Sequence, residues 1–114
     1  MSDCLFCRIV GKEIQAKIVY EDDHTLAFDD INPQAPVHVL VIPKRHLSSV
    51  QEMSAHDQSL LAHVFLASTK VATQKGLDAA GYRLVTNTGR DGGQTVFHMH
   101  VHILGGRHMS WPPG

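Results

Sequence analysis

The chain has 114 residues, 43% of them hydrophobic, with ten Lys and Arg against eleven Asp and Glu for a formal charge of −1. That length suits one domain burying about two-thirds of its unfolded surface, and no apolar run approaches the roughly 18 residues of a membrane helix. Near-neutral charge excludes a nucleic-acid polymer as partner, which needs a basic stripe, but leaves open a small phosphate ligand held by amides and imidazoles.

The opening stretch, MSDCLFCRIVGKE, has no secretory apolar core and carries charges throughout, so a cytoplasmic protein is expected. CLFCRIVGKEI reads as a short helix or turn with Leu5, Phe6 and Ile9 inward. KIVYEDD and TLAFDD read as strands joined by an acidic turn, and INPQAP as a turn whose prolines interrupt pairing. VHVLVIP alternates strongly, setting Val37, Val39 and Val41 on one face and His38, Leu40 and Ile42 on the other. Ser54 and Asp57 resemble a capping box and open a long helix that Gly76 ends. Its apolar stripe is predicted at Leu60, Leu61, Val64, Phe65, Val71 and Ala72. YRLVTN is a strand, TGRDGGQT a glycine-rich loop, FHMHVHIL the last strand, and GGRHMSWPPG an irregular tail. The order predicts an α+β domain with a largely antiparallel sheet.

The last strand carries the densest chemistry. His98, His100 and His102 alternate with apolar Met99, Val101 and Ile103, so one face is imidazole and the other enters a core. Such a row can bind a metal, bind an anion, or supply a nucleophile with helpers. As incidental polar residues the three would be expensive, because a buried imidazole needs a partner to offset desolvation. As three ligands for one ion they tend to diverge along the strand, and no carboxylate completes the set there. His38, on a separate strand, extends the row into a cluster. The preceding loop brings Gly89, Gly92 and Gly93, whose amides can approach an anion closely. Gln94 and Thr95 at the junction could donate to a phosphate or leaving group. His24, His56, His63 and His108 read as turn, surface and tail residues.

HMHVHIL matches the His-x-His-x-His-apolar-apolar signature of the histidine triad (HIT) nucleotide-binding family. DINPQAPVHVLVIPKRH, GYRLVTNTGRDGGQTVFHMHVHILGGR and the terminal WPPG resemble its Hint branch, the nucleoside phosphoramidases. The resemblance spans about Phe6 to Gly114 and implies a five-stranded antiparallel sheet with a short and a long helix. It implies a single domain over 1–114, with a Cys-x-x-Cys segment at 1–14 and a tail at 105–114 directed at a dimer partner. The homodimer would extend the sheet across a two-fold axis, with Trp111 shaping the leaving-group pocket.

The resemblance also implies chemistry. His100 would attack the α-phosphorus of a purine nucleoside phosphoramidate or aminoacyl-nucleotide, and water would hydrolyse the nucleotidyl-histidine to the monophosphate. A backbone carbonyl should hold the other ring N–H of His100. His102 would bind phosphate and assist at the leaving group, with His38 beside it. Asn87, Gly93, Gln94 and Thr95 would contact the phosphate, Asp30 the ribose hydroxyls, and Phe6, Ile9, Phe28 and Ile31 the base. Phe97 stands where many relatives have Tyr. Cys4, Cys7, His46 and His98 match a structural zinc set found in a subset of the family; two reduced thiols or a redox pair are the alternatives. No organic cofactor is implied. A nucleotide-binding scaffold with incidental hydrolysis and a metalloenzyme using the histidine row are the competing readings.

Overall fold

The computed structural model describes residues 3–114. The helix α1 (Leu5–Val10) leads into strands β1 (Ile18–Glu21), β2 (Thr25–Asp29) and β3 (Val37–Pro43). Two 3-10 turns, Val50–Glu52 and Ala55–Asp57, precede the long helix α2 (Gln58–Gln74), and β4 (Tyr82–Val85) and β5 (Val101–Gly105) complete the chain. The sheet runs β1-β2-β3-β5-β4 with every neighbouring pair antiparallel. The fold is the α+β arrangement expected, with five strands and one long helix.

Alternation along β3 and β5 divides the interior into two layers. Val39, Val41, Met99, Val101 and Ile103 face α2, where Val64, Ala67, Val71 and Ala72 meet them. Leu26, Phe28, Leu40 and Ile42 face the other way, against Phe6 and Ile9 of α1. The imidazole side of β5 therefore shares its layer with the small N-terminal helix.

Three expectations shift. The Ser54–Asp57 capping box forms, but it caps the second 3-10 turn, and α2 starts only at Gln58. Phe65 lies outside the stripe at 37% exposure, because Val64, Ala67, Ser68, Val71 and Ala72 fill the 3.6-residue period one position earlier. Phe97–His100 are not part of a ladder. Pairing of β5 with β3 ends at Val41 opposite Val101, and the Met99 amide donates instead to Leu47 O at 2.6 Å.

Gly92 has a steric reason to lack a side chain, since a Cβ there would overlap the Thr88 backbone. The tail is tied by Arg83, which donates to Ser110 O at 2.8 Å. Trp111 is left 81% exposed on its own chain. No helix among the described residues is long and apolar enough to cross a membrane.

Candidate active site and metal centre

Hydrogen bonds assign a proton to each imidazole around the last strand. His100 Nδ1 lies 2.6 Å from His98 O, and only an N–H can face a carbonyl. Its Nε2 therefore keeps the lone pair. The Gln34 amide donates to His38 Nδ1 at 3.0 Å, so a neutral His38 carries its proton on Nε2. That Nε2 stands 2.9 Å from His102 Nδ1 and 3.4 Å from Asp30 Oδ2. His102 accepts on Nδ1, which leaves its own proton on Nε2. A lone pair on His100 and a donor on His102 result, with ring centroids 4.9 Å apart.

Burial keeps these rings neutral. It lowers the His100 pKa against the opposing pull of the His98 carbonyl and Asp30. His38 is lowered likewise by burial, with Asp30 opposing. His102 falls to about 4 through burial first, then through the neighbouring His100 and His38. A charged ring beside two others in a half-dry layer would be poorly solvated.

His100 and His102 open onto a pocket of about 290 Å³, near the lower bound of roughly 300 Å³ for ligand sites. Phe6, Ile9, Phe28 and Leu40 wall one end, with Ile31 (99% exposed) at the rim. Asp30 and Thr95 line it too, beside the imidazoles. Asn87, Gly93 and Gln94 are not among its walls. Gln94 has other partners. Its Oε1 accepts from the Gly89 amide at 2.9 Å, and its Nε2 donates to Ser48 O at 2.6 Å and Val96 O at 3.0 Å. Both amide hydrogens are engaged, so in this structure the side chain clamps the glycine loop.

Sequence reasoning missed the link from Asp30 to His38. The signal was present in the hairpin register: Asp29 pairs with Val39, so the next pair brings Asp30 to His38 on one face. The Asp30 amide indeed donates to His38 O at 2.9 Å. Thr86, which donates to His100 O at 2.8 Å, was also missed.

His98 turns away from the other two histidines, so the row does not supply three ligands to one point. Its Nε2–H donates to Pro43 O at 2.8 Å, leaving the Nδ1 lone pair aimed at the N-terminal cysteines. Cys4 Sγ and Cys7 Sγ lie 3.4 and 3.5 Å from it, and His46 Nδ1 lies 3.2 Å from both His98 Nδ1 and Cys7 Sγ. All four ligand atoms fall within 4.8 Å of one another. Bonds of about 2.3 Å to sulfur and 2.0–2.1 Å to nitrogen at a tetrahedral ion imply ligand separations of roughly 3.3–3.8 Å. The donor set fits zinc in chemistry and in spacing. The Pro43 carbonyl fixes the His98 tautomer that ligation needs. Cys4 also accepts from the Cys7 amide at 3.3 Å as the N-cap of α1. Of the remaining histidines, His63 pairs with Asp22 at 2.9 Å and stacks edge-on against His24.

The HIT domain family matches residues 11–109. An uncharacterised HIT-like protein of Synechococcus elongatus is 54% identical over 112 residues, covering 98% of this chain and 97% of that protein. A second, from Synechocystis, is also 54% identical over 112 residues, with the same coverage of 98% and 97%. Among solved structures, a HIT family hydrolase from Legionella pneumophila superposes with a TM-score of 0.96 at 50% identity, covering 98% of this chain and 100% of its own. A histidine triad protein from Clostridium difficile gives 0.93 at 44%, with 96% of each chain covered. With a family match over most of its length and relatives this similar, the chain belongs to the HIT domain family.

Proposed function

We propose that the protein is a Hint-type hydrolase that cleaves purine nucleoside phosphoramidates or aminoacyl-nucleotides. The observation that carries this reading is the pairing of an unprotonated His100 Nε2 with a His102 Nε2–H donor at one pocket. The hydrolase description of the solved Legionella relative supports it. His100 Nε2 bonds to the α-phosphorus as the bond to the leaving group breaks: the P–N bond of a phosphoramidate, whose nitrogen departs as an amine with a proton from water, or the P–O bond of an aminoacyl-nucleotide, which departs as a carboxylate. The ring is then a cation whose Nδ1–H still donates to His98 O. A water molecule next attacks phosphorus and displaces Nε2, releasing the nucleoside monophosphate. His102 is neutral at pH 7, so it assists by donating a hydrogen bond to phosphoryl oxygens where charge builds. Asp30 would take the ribose hydroxyls with the oxygen not engaged by the Asn32 amide at 2.8 Å. Phe6, Ile9, Phe28 and Leu40 offer a base mainly apolar surface, which favours stacking and a loose purine preference.

The test is direct. Incubation with an adenosine phosphoramidate, acid-free quenching and peptide mass spectrometry should find adenylate on His100. Nucleotide binding with neither adduct nor turnover would favour a scaffold instead. The pH profile offers a second check. Burial lowers the nucleophile His100, and His38 and His102 beside it, so the acid limb of kcat/KM should lie below the ordinary histidine value of 6.5. The same shift sets stability: the unfolded chain binds these protons more readily, so stability is complete above 6.5 and declines toward 4. Urea unfolding that is flat across this window would contradict it.

We read Cys4, Cys7, His46 and His98 as ligands of a structural zinc ion that pins α1 beside the active strand. We also read the protein as a cytoplasmic homodimer joined through α2 and the edge strand β4. Supporting this are the exposed Phe65 and Leu66 on α2 and a Trp111 left 81% exposed on its own chain. A partner would cover surface that one chain leaves in water. Removing Ser110–Gly114 should then change the preference among amine leaving groups more than nucleotide affinity. Measuring kcat/KM for several amines, with dimerisation followed by sedimentation, checks this. A uniform change in an intact dimer would remove the tail from substrate selection.

A further inference from the structure

The short helix α1 has two different jobs on adjacent sides. Cys4 and Cys7 face the four-ligand centre, while Leu5, Phe6 and Ile9 line the pocket that His100 and His102 share. Phe6 sits between the two cysteines in sequence and between the two sites in space. Its ring meets His98 edge-on at 5.9 Å, His100 at 5.1 Å and Phe28 at 5.4 Å.

Little else holds this helix. It is six residues long, and isolated helices of that size are not stable in water. Its backbone bonds are local: Arg8 to Cys4, Gly11 to Cys7, Lys12 to Ile9 and Glu13 to Arg8. It is held against the core by the packing of Phe6 and Ile9 with partly buried Cys4 and Val10, by the exposed Lys12–Glu21 ion pair at 2.7 Å, and by the ligand cluster.

We propose that ion and nucleotide are thermodynamically linked through α1, each holding the helix where the other needs it. The inference rests on the zinc and nucleotide readings above. An ion at Cys4 and Cys7 fixes the helix axis and so presents the Phe6 face to a base. A base stacked on that face resists the helix displacement that releases the ion. The linkage runs through the base wall, so a ligand that reaches only the imidazoles does not engage it. Reciprocity is obligatory: whatever factor zinc adds to nucleotide affinity, the nucleotide adds to zinc affinity.

The experiment uses zinc-loaded, full-length protein. A chromophoric chelator competes for the ion with and without saturating AMP, and calorimetry gives the AMP Kd for loaded and chelator-stripped protein. AMP is expected to raise zinc affinity at least about fivefold, with the same factor appearing in the AMP Kd. Ribose 5-phosphate, which lacks a base, should leave zinc affinity within about twofold, as should AMP acting on Phe6→Leu. If stripped protein does not fold, the competition arm still reads the linkage from the loaded side. An AMP effect within twofold, or an equal effect of ribose 5-phosphate, overturns the proposal. Absence of stoichiometric zinc or of AMP binding overturns the underlying readings and this inference together. Zinc and AMP both bound without linkage overturns the inference alone.

Discussion

His100→Gln is expected to lower kcat/KM by roughly 10⁴-fold or more while leaving the AMP Kd within a few-fold. The wild-type ring is neutral, so its loss removes no charge that would hold the phosphate. What disappears is the one nitrogen whose lone pair is assigned to the pocket by the His98 carbonyl behind it. Gln fills much of the volume beside Phe6 but cannot form a phosphorus–nitrogen bond that water later breaks. His102→Ala should act differently. It removes a donor, not the covalent acceptor, and a loss of about 10²–10³ fits a single oxyanion contact. Steady-state kinetics with an adenosine phosphoramidate separate the two variants. If His100→Gln kept more than a tenth of wild-type kcat/KM, covalent catalysis at this residue would be wrong.

The pairing of donor and lone pair depends on partners that differ in how plainly they show in sequence. Alternation in VHVLVIP and HMHVHIL announced which side of each strand is apolar, because a residue and its second neighbour share a face. The position of Asp30 beside His38 follows from strand register. The engagement of Gln94 does not, because its acceptors are Ser48 O and Val96 O, and the first comes from a loop far along the chain. Nor does the turn of His98 away from His100. Alternation places the two together only while the ladder continues, and pairing with β3 has already ended at Val101. Beyond it, the His98 ring is held by Pro43 O and faces residues 91 or more positions away. The stripe on α2 failed at one position for a simpler reason. Phe65 is hydrophobic, but it follows Val64 by 100° around the axis and so lies past the edge of the buried arc.

That separation of His98 from the other two imidazoles leads to the second large effect. Loss of the ion should cost the protein far more in folding than in chemistry. Cys7→Ser replaces a thiolate with a hydroxyl that binds zinc weakly, and the protein should purify with well under one equivalent of zinc. A structural ion contributes its binding energy to folding, so losing about 3 kcal/mol or more should lower Tm by about 12 °C or more. His46→Ala is the sharper companion variant. Its side chain lies on the exposed rim of the cluster, so without an ion its removal should cost within about 0.5 kcal/mol. A fall in Tm as large as that of Cys7→Ser would therefore report the ion and not lost packing. The rate of the chemical step should change less than about tenfold in either variant. His38 and His102 are carried by paired strands, and His100 is flanked by the Met99 amide bond to Leu47 and the Thr86 bond to its own carbonyl. The His98 carbonyl that fixes the His100 tautomer does belong to a ligand residue, but it is a backbone group and not the ligating ring. Saturating kcat measured below the lowered Tm, beside zinc content and thermal unfolding, distinguishes the two roles. A kcat that collapses while Tm holds would place the ion in the chemistry, and a zinc-free wild type with unchanged Tm would remove it from the fold.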